Sequence, residues 1–274
     1  MESTTRTCGI KMQRLFTVGC SLTRYHWPTW ADILGQSFDN FENWGNRGAG
    51  NRQILERFSE LVVKNDFTED DVVVVQWTNY HRFDQHQWDN TITESWYPAG
   101  NVFQEANRSD IRSVIIRKMW YEETYIMHTW NSIHAALGIA NTIPAKVLFV
   151  FGQDLRLDLN NTTFSPYKKL LSNDSFVDGD IFGWVCNNND NRMSFYNADP
   201  NTHSRDKQFD HHPTPIMYYE WLNNFIAPRL GIEIDKEFAV KIQSALESVT
   251  DYNKISDAIE NVDYSTNTNW QRGY

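Results

Sequence analysis

The chain has 274 residues, of which 41% are hydrophobic and 22% charged, the composition of an ordinary soluble globular protein with room for one sizeable α/β domain. Its formal net charge of −10, without any run of Lys or Arg, argues against a nucleic-acid partner, because a phosphate backbone is bound by a concentrated positive patch. The three cysteines, Cys8, Cys20 and Cys186, are widely separated, which argues against a disulfide scaffold and indicates a reducing compartment.

The sequence shows no pattern typical of a membrane or secretory segment. Residues 1–6 contain no apolar stretch, and no segment approaches the roughly 20 apolar residues that span a bilayer. We therefore expect a cytoplasmic protein with no membrane partner. The histidines His203, His211 and His212 lack the spacing of metal ligands, so no metal site is expected.

Strand and helix patterns alternate along the first part of the chain. Four segments are predicted to be strands: 14–21, 41–45, 71–78 and 145–152. The last two contain uninterrupted apolar runs, which are typical of strands covered by helices on both faces. Between the strands, residues 52–64 and 110–137 carry apolar side chains at helical spacing. This alternation predicts a three-layer α/β/α sandwich around a mostly parallel sheet, with right-handed crossovers.

Two long segments with little periodicity are predicted to be insertions over the carboxyl edge of this sheet. They cover residues 80–107 and 153–209, both contain dispersed aromatic residues, and the second is rich in Asn and Asp. Loops of this length in a compact domain are usually lids or binding surfaces, and flat aromatic faces suit sugar rings. The alternative is that both segments are mobile surface loops without a binding role.

The C-terminal part of the sequence is predicted to be helical. After Pro213 an amphipathic helix is expected, ending near Gly231. Residues 237–262 alternate charged with apolar residues, which suits one or two solvent-facing helices. We therefore divide the chain into a domain of residues 1–232, which includes the two insertions, and a helical tail of residues 233–274.

Three residues suited to acyl-transfer chemistry each follow a predicted strand: Ser21, Gly48 and Asn79. The carboxyl ends of parallel strands form the ligand crevice of such sheets, so the three residues are expected at one edge. Ser21 stands at an abrupt strand-to-helix corner, where acyl-transfer enzymes place a nucleophile. Each residue also has an ordinary alternative role, as a helix N-cap for Ser21, a tight turn for Gly48 and an Asx-turn for Asn79.

Four short blocks occur in order along the chain. They read Gly-Cys-Ser-Leu-Thr at 19–23, Asn-Trp-Gly-Asn-Arg-Gly at 43–48, Val-Gln-Trp-Thr-Asn at 75–79 and Asp-His-His-Pro at 210–213. In order and spacing they resemble the four blocks of the SGNH, or GDSL-like, hydrolase family, and the resemblance covers residues 13–230. It implies the flavodoxin-like fold of that family, with a five-stranded sheet, and a reaction without a cofactor.

The resemblance also implies the roles of the site residues. Ser21 would be the nucleophile, His212 the general base, and Asp210 the carboxylate that orients the imidazole. The oxyanion hole would consist of the backbone N–H groups of Ser21 and Gly48 and the side-chain amide of Asn79.

The sequence departs from the family pattern near these residues. Cys20 stands where the family usually has an acid, and Trp77 stands where it has a glycine. Asp210 precedes His212 by two residues instead of the usual three, which an extended or turn conformation can accommodate. Otherwise a backbone carbonyl orients His212 in a Ser-His dyad, or catalysis has been lost. His211 is a less favoured alternative base.

The predicted function is hydrolysis of an ester through a Ser21 acyl-enzyme, by a serine esterase of the SGNH type. The aromatic and Asn/Asp-rich insertions, together with the substrates that the resemblance to the family implies, favour an O-acetyl or other short acyl ester on a carbohydrate. Asn51 and Arg82 are candidates for binding this substrate, although Arg82 could instead pair with Asp84 or Asp89. Two alternatives stay open: an O-acyltransferase that uses the same residues, and a non-catalytic carbohydrate-binding or structural module that retains the fold. The sequence does not indicate an oligomeric state.

Overall fold

The computed structural model of the protein describes residues 14–82, 84–86, 96–97, 121–188, 193–196 and 207–262. Its strands are β1 (Arg14–Val18), β2 (Asn40–Asn43), β3 (Val72–Trp77), β4 (Gln85–His86), β5 (Trp96–Tyr97), β6 (Lys146–Phe151), β7 (Met193–Tyr196) and β8 (Lys207–Asp210). Its α-helices are α1 (Trp30–Gly35), α2 (Asn51–Lys64), α3 (Glu122–Ala140), α4 (Ile181–Asn188), α5 (Pro215–Phe225), α6 (Ala227–Leu230), α7 (Lys236–Glu247) and α8 (Ile255–Glu260). Short 3-10 helices cover Leu155–Asn160, Ser165–Ser172 and Tyr252–Lys254.

The central sheet is parallel and has the strand order β2-β1-β3-β6. Its register pairs Thr17 of β1 with Asn43 of β2, and Val18 of β1 with Val75 of β3. The residues of β1, β3 and β6 are nearly all buried, as the uninterrupted apolar runs predict for strands that are covered on both faces. All four predicted strands are found, each within a few residues of its predicted bounds.

The helices form two groups that flank this sheet. In one group α2 packs against α3, and the apolar stripe of α2, with Ile54, Phe58 and Leu61, is buried. In the other group α1, α4 and α7 pack against α5. There Trp30 of α1 meets Trp221 of α5 edge to face, with ring centroids 6.1 Å apart. The described chain is therefore an α/β fold with a parallel sheet between helices.

The expected number of five strands is wrong for the described residues, where the parallel sheet has four. The position beyond β6, where a fifth strand would pair, holds a single parallel bridge between Phe176 and Phe149. The N–H of Phe149 donates to the carbonyl oxygen of Ser175 at 2.7 Å, and the N–H of Val177 donates to that of Phe149 at 3.0 Å. Two residues after Val177, Gly179 adopts a φ of 88°, a backbone conformation that favours glycine and that a strand does not use.

The helix expected directly after Ser21 begins later in the structure. Ser21 lies in a turn, and α1 begins only at Trp30. The helix begins with a capping box formed by Thr29 and Asp32. The Thr29 side chain accepts from the backbone N–H of Asp32, and the Asp32 side chain accepts from the backbone N–H of Thr29. Ser21 is therefore not the N-cap of a helix. For the helix predicted at 110–137, the structure describes Glu122–Ala140, and the residues before 121 lie outside the described chain.

The second predicted insertion, residues 153–209, is more regular than the long loop expected. Its described part contains two 3-10 helices, α4 and β7, which pairs antiparallel with β8. Leu155, Leu159 and Ile181 within it are buried in the common hydrophobic core, which removes their apolar surface from water. Most of the first predicted insertion, residues 80–107, lies outside the described residues.

The helices of the predicted tail share the core of the sheet. Their buried residues are Phe238, Ala239, Ile242 and Leu246 of α7, and Ile255 and Ile259 of α8. Helix α7 packs on α5, the helix that follows the last of the four sequence blocks. Each tail helix therefore exposes one face to solvent, as expected, and adds its other face to the core.

Candidate active site

Ser21 lies in the loop between β1 and α1, residues 19–29, at the carboxyl edge of the sheet. The backbone N–H groups of Thr23 and Arg24 donate to the carbonyl oxygen of Cys20 at 2.9 and 3.1 Å and close a turn around Ser21. Ser21 is 7% exposed. Because β1 runs between β2 and β3, the loops that follow those two strands flank this β1–α1 loop.

The imidazole of His212 reaches Ser21 from the loop after β8. Its Nε2 lies 2.9 Å from Ser21 Oγ, and its Nδ1 lies 2.8 Å from Asp210 Oδ1. An ionised carboxylate only accepts hydrogen bonds, so Nδ1 carries the proton and Nε2 accepts from the serine hydroxyl. The structure thus brings the hydroxyl, the imidazole and the carboxylate predicted from the sequence into one line of hydrogen bonds.

A turn at the end of β8 accommodates the two-residue step between Asp210 and His212. Asp210 Oδ1 accepts from the backbone N–H of His212 at 2.8 Å, in addition to its contact with the ring Nδ1. This Asx-turn folds the carboxylate back over the residues that follow it. The shortened spacing is therefore compatible with a carboxylate–imidazole contact. His211, the alternative base, is exposed.

Sequence reasoning missed Tyr25, which binds the second oxygen of Asp210. The Tyr25 hydroxyl donates to Asp210 Oδ2 at 2.5 Å, and its ring stacks on the imidazole of His212 with centroids 3.6 Å apart. Burial acts to raise the pKa of Asp210, but the hydrogen bonds from His212 and Tyr25 outweigh it and hold this pKa below its usual value. Asp210 is therefore ionised at neutral pH. The only signal in the sequence was an aromatic residue shortly after Ser21.

Trp27 is a second residue that the sequence did not single out, and it holds the segment that carries His212. Its indole N–H donates to the carbonyl oxygen of Pro213 at 3.2 Å. Its ring lies perpendicular to the imidazole of His212 at 6.4 Å and meets the ring of Tyr25 edge to face at 4.7 Å. Tyr25 and Trp27 both belong to the β1–α1 loop, so the loop that carries the serine also positions the histidine.

The loop between β2 and α2, residues 44–50, is attached to the end of β1. The N–H of Trp44 donates to the carbonyl oxygen of Thr17 at 2.7 Å, and the N–H of Asn46 donates to that of Gly19 at 2.9 Å. These bonds continue the parallel pairing past the ends of the two strands. Gly48 has a φ of 78°, which favours glycine, so the tight turn considered from the sequence is present.

Asn79 is the second residue after β3, the other neighbour of β1. Its Oδ1 accepts from the backbone N–H of His81 at 3.1 Å, which forms the Asx-turn considered from the sequence. This turn uses the amide oxygen, whereas the oxyanion role predicted for Asn79 requires the amide nitrogen Nδ2. The two roles use different atoms of one side chain and do not compete.

Gln76 is a buried residue of β3 that the sequence did not mark as part of a site. Its Oε1 accepts from the N–H of Cys20 and from the hydroxyl of Thr23, both at 3.1 Å, and its Nε2 donates to the carbonyl oxygen of Trp77. Gln76 approaches the β1–α1 loop closely, since a Cβ on Gly19 would lie 2.8 Å from Gln76 Oε1. Gln76 therefore ties this loop to the end of β3.

The side-chain amide of Asn51, predicted to bind substrate, forms hydrogen bonds with neighbouring elements of the fold. Its Oδ1 accepts from the N–H of Thr78 at 2.9 Å, and its Nδ2 donates to the carbonyl oxygen of Thr78 at 2.8 Å and to Thr129 Oγ1 at 3.0 Å. These bonds join α2 to the end of β3 and to α3. Substrate binding by this amide would require them to break, so we assign Asn51 a structural role.

Arg82, the other predicted substrate-binding residue, is half-buried beside the start of α2. A Cβ on Gly50 would lie 2.9 Å from Arg82 Cβ. Asp84, considered as its ion-pair partner, caps α2 by accepting from the N–H groups of Gly50 and Gln53 at 2.7 and 3.0 Å. Burial raises the pKa of Asp84, and these hydrogen bonds and the positive charge of Arg82 act against that shift.

Within the described ranges, no helix combines the length and the apolar character that a membrane crossing requires. Nor do the described His, Cys, Asp and Glu side chains form a group of three or more that could hold a metal ion. The expectations for cofactors, partners and cellular compartment stay predictions from the sequence.

No model of a known protein family matches this chain, and no curated protein matches it. Among solved structures, the chain is similar to the crystal structure of a member of the lipolytic protein G-D-S-L family from Veillonella parvula. The two chains are 14% identical, the match covers 75% of this chain and 92% of the other, and the TM-score is 0.40. At that level of identity and structural overlap, the family of this chain stays open.

Proposed function

We propose that the chain is a serine esterase of the SGNH type, which cleaves an ester through a covalent acyl-enzyme on Ser21. The observation that carries the proposal is the line of hydrogen bonds from Ser21 Oγ through the His212 imidazole to Asp210, with distances of 2.9 and 2.8 Å. A serine hydroxyl is a weak nucleophile until a base takes its proton. This arrangement supplies the base and a carboxylate that orients it.

In the proposed reaction, Ser21 Oγ attacks the carbonyl carbon of the ester while its proton passes to His212 Nε2. Asp210 stabilises the imidazolium that forms, because its low pKa keeps it ionised. The imidazolium then gives the proton to the departing alcohol oxygen, which leaves the acyl group on Ser21. In the second half His212 takes a proton from water while the water oxygen bonds to the acyl carbon. The imidazolium then returns this proton to Ser21 Oγ as the bond between Oγ and the acyl carbon breaks, which releases the acid and restores the serine hydroxyl.

The carbonyl oxygen becomes negatively charged during both attacks and requires fixed hydrogen-bond donors. We assign this role to the backbone N–H groups of Ser21 and Gly48 and to Nδ2 of Asn79. Support comes from the strand order, because these residues follow three adjacent strands, β1, β2 and β3. Loss of one such donor costs on the order of 3 kcal/mol of transition-state stabilisation.

As the substrate we propose an O-acetyl or other short acyl ester on a carbohydrate. The support is compositional: aromatic residues in segments 80–107 and 153–209, with many Asn and Asp residues in the second. An O-acyltransferase would use the same residues and pass the acyl group to a sugar hydroxyl instead of water. The 2.9 Å distance between Ser21 Oγ and His212 Nε2 favours catalysis over a non-catalytic module.

Covalent labelling by a serine-directed fluorophosphonate tests this proposal. The wild type is expected to be labelled at one residue, and Ser21→Ala is expected to lose the label, since only an activated hydroxyl attacks phosphorus. Ser256→Ala, which removes an exposed serine of α8, is the matched control and should be labelled like the wild type. A wild type that is not labelled would contradict the proposal. Release of acetate from an aryl acetate, compared with transfer to an added sugar, separates esterase from transferase.

A further inference from the structure

Tyr252 connects the C-terminal helices to the carboxylate of the site. It lies in the 3-10 turn between α7 and α8, and its hydroxyl oxygen is 3.2 Å from that of Tyr25. Tyr25 has one hydroxyl proton, which it donates to Asp210 Oδ2 at 2.5 Å. Between the two tyrosines, Tyr252 is therefore the donor and Tyr25 the acceptor. The hydroxyl groups of Tyr252 and Tyr25 therefore form a chain of two hydrogen bonds that leads to Asp210 Oδ2.

Both hydroxyl groups stay protonated at neutral pH. Burial, followed by the hydrogen bond to Asp210, raises the pKa of Tyr25, and burial likewise raises the pKa of Tyr252. Each tyrosine is therefore a donor at the pH where a histidine base acts.

We propose that Tyr252 is a positioning residue for the carboxylate of the site. Its hydroxyl orients and polarises the hydroxyl of Tyr25, which holds Asp210 Oδ2 so that Oδ1 faces the imidazole. The inference deepens the proposed esterase function and rests on it.

The short step between Asp210 and His212 explains why a second donor is useful. Oδ1 of Asp210 already accepts the backbone N–H and the ring Nδ1 of His212, so the turn engages only one carboxylate oxygen. The χ2 torsion of an aspartate has a broad range of allowed angles. Because only one oxygen is hydrogen-bonded by the turn, the plane of the carboxylate can still rotate about this torsion. A donor on Oδ2 restricts that rotation and makes the orientation of the carboxylate independent of the turn.

The turn that carries Tyr252 is itself held in place. The Asp251 side chain accepts from the N–H of Asn253 at 3.0 Å and caps the 3-10 turn. Ile255, at the start of α8, is buried in the common core. The position of the Tyr252 hydroxyl therefore depends on the packing of the C-terminal helices.

The ring of Tyr252 makes a second contact with the β1–α1 loop, in addition to the hydroxyl contact with Tyr25. This ring lies edge to face with His26 at 5.2 Å. Arg47 Nη1 donates to His26 Nε2 at 3.0 Å, and Arg47 Nη2 donates to the carbonyl oxygen of Tyr25 at 3.1 Å. Burial, and then the charge of Arg47, lowers the pKa of His26, which is therefore neutral at neutral pH and accepts this bond. These contacts hold the two tyrosines together.

A double-mutant cycle with Tyr25→Phe and Tyr252→Phe tests the inference in the full chain. Phenylalanine keeps the ring contacts and removes only the hydroxyl. The readout is the second-order rate of fluorophosphonate labelling as a function of pH. We expect a fall of about tenfold in Tyr25→Phe and about threefold in Tyr252→Phe. In both variants the acid limb of the profile should move to higher pH, because a carboxylate that has lost a donor attracts the imidazole proton more strongly.

The double variant should behave like Tyr25→Phe alone, because Tyr252 acts through Tyr25. Tyr167→Phe is the matched control, since it also deletes a hydrogen-bonded phenol hydroxyl, which donates to Asn131 at 2.6 Å outside the site. An unchanged pH profile of labelling in Tyr252→Phe would overturn the positioning role, and so would effects of the two substitutions that simply add in the double variant. In either case labelling of the wild type would still support the proposed esterase. A wild type that is not labelled would overturn both.

Discussion

Asp210 divides its hydrogen bonds between two oxygens, and this division accounts for the unusual spacing of the site. Oδ1 receives two N–H groups of His212, and Oδ2 receives the hydroxyl of Tyr25. The sequence indicated Asp210 and His212 because they stand with Pro213 in a recognisable four-residue block. For Tyr25 its only signal was an aromatic residue shortly after Ser21, because the role of Tyr25 depends on the stacking of its ring on the imidazole and on its hydrogen bond to Asp210.

Replacing Asp210 with Asn separates the charge of this side chain from its shape. An amide oxygen can still accept from His212, but it lacks the negative charge that stabilises the imidazolium in the proposed reaction. In Asp210→Asn we expect the rate of fluorophosphonate labelling at neutral pH to fall on the order of a hundredfold or more. Asp257→Asn, on the exposed side of α8, is the control and should keep the wild-type rate. A nearly normal rate in Asp210→Asn would mean that another group orients the imidazole.

At the scale of elements, the side chain of Gln76 connects the end of β3 to the β1–α1 loop by hydrogen bonds. The Val72–Trp77 strand was predictable because its apolar run is local. A glutamine at its buried end was visible in the sequence, but its partners, Cys20 and Thr23, are more than fifty residues away. No local pattern pairs residues at that separation.

Gln76→Ala should destabilise this connection. The substitution leaves the buried N–H of Cys20 and the hydroxyl of Thr23 without their acceptor, and it opens a cavity. We expect the free energy of unfolding, measured with urea, to fall by about 3 kcal/mol. Gln36→Ala, which changes a half-buried glutamine at the end of α1, should change it by less than about 1 kcal/mol. If the two variants lose the same stability, the network around Gln76 contributes little.

At the scale of the whole molecule, a buried acid makes stability depend on pH. Asp32 is almost fully buried, and burial raises the pKa of this carboxyl to about 6, although Thr29 and Asn43 donate hydrogen bonds to it. An unfolded Asp has a pKa near 3.9. The folded protein therefore binds this proton more tightly. The stability that Asp32 contributes is complete below about pH 4 and is lost as the pH rises through about 6.

Comparison of the wild type with Asp32→Asn isolates this effect, because the other titrating groups are common to both proteins. Between about pH 4 and pH 7, the free energy of unfolding of the wild type should fall relative to the variant by up to about 3 kcal/mol. Urea denaturation across this range measures the difference. Asn also lacks one of the two oxygens that accept from Thr29 and Asn43, but that cost does not vary with pH. Parallel pH profiles of the two proteins would contradict the raised pKa.

The sequence by itself determined the parallel strands, the helices beside them and the strand ends that carry Ser21, Gly48 and Asn79. These features follow from apolar runs and helical spacing, which are properties of neighbouring residues. Only the tertiary structure decided that pairing beyond β6 stops at Phe176, and that Asn51 joins framework elements. It also decided that Tyr252 reaches Tyr25 across 227 positions of sequence. Contacts at such separations depend on how complete elements pack, and no periodicity along the chain encodes them.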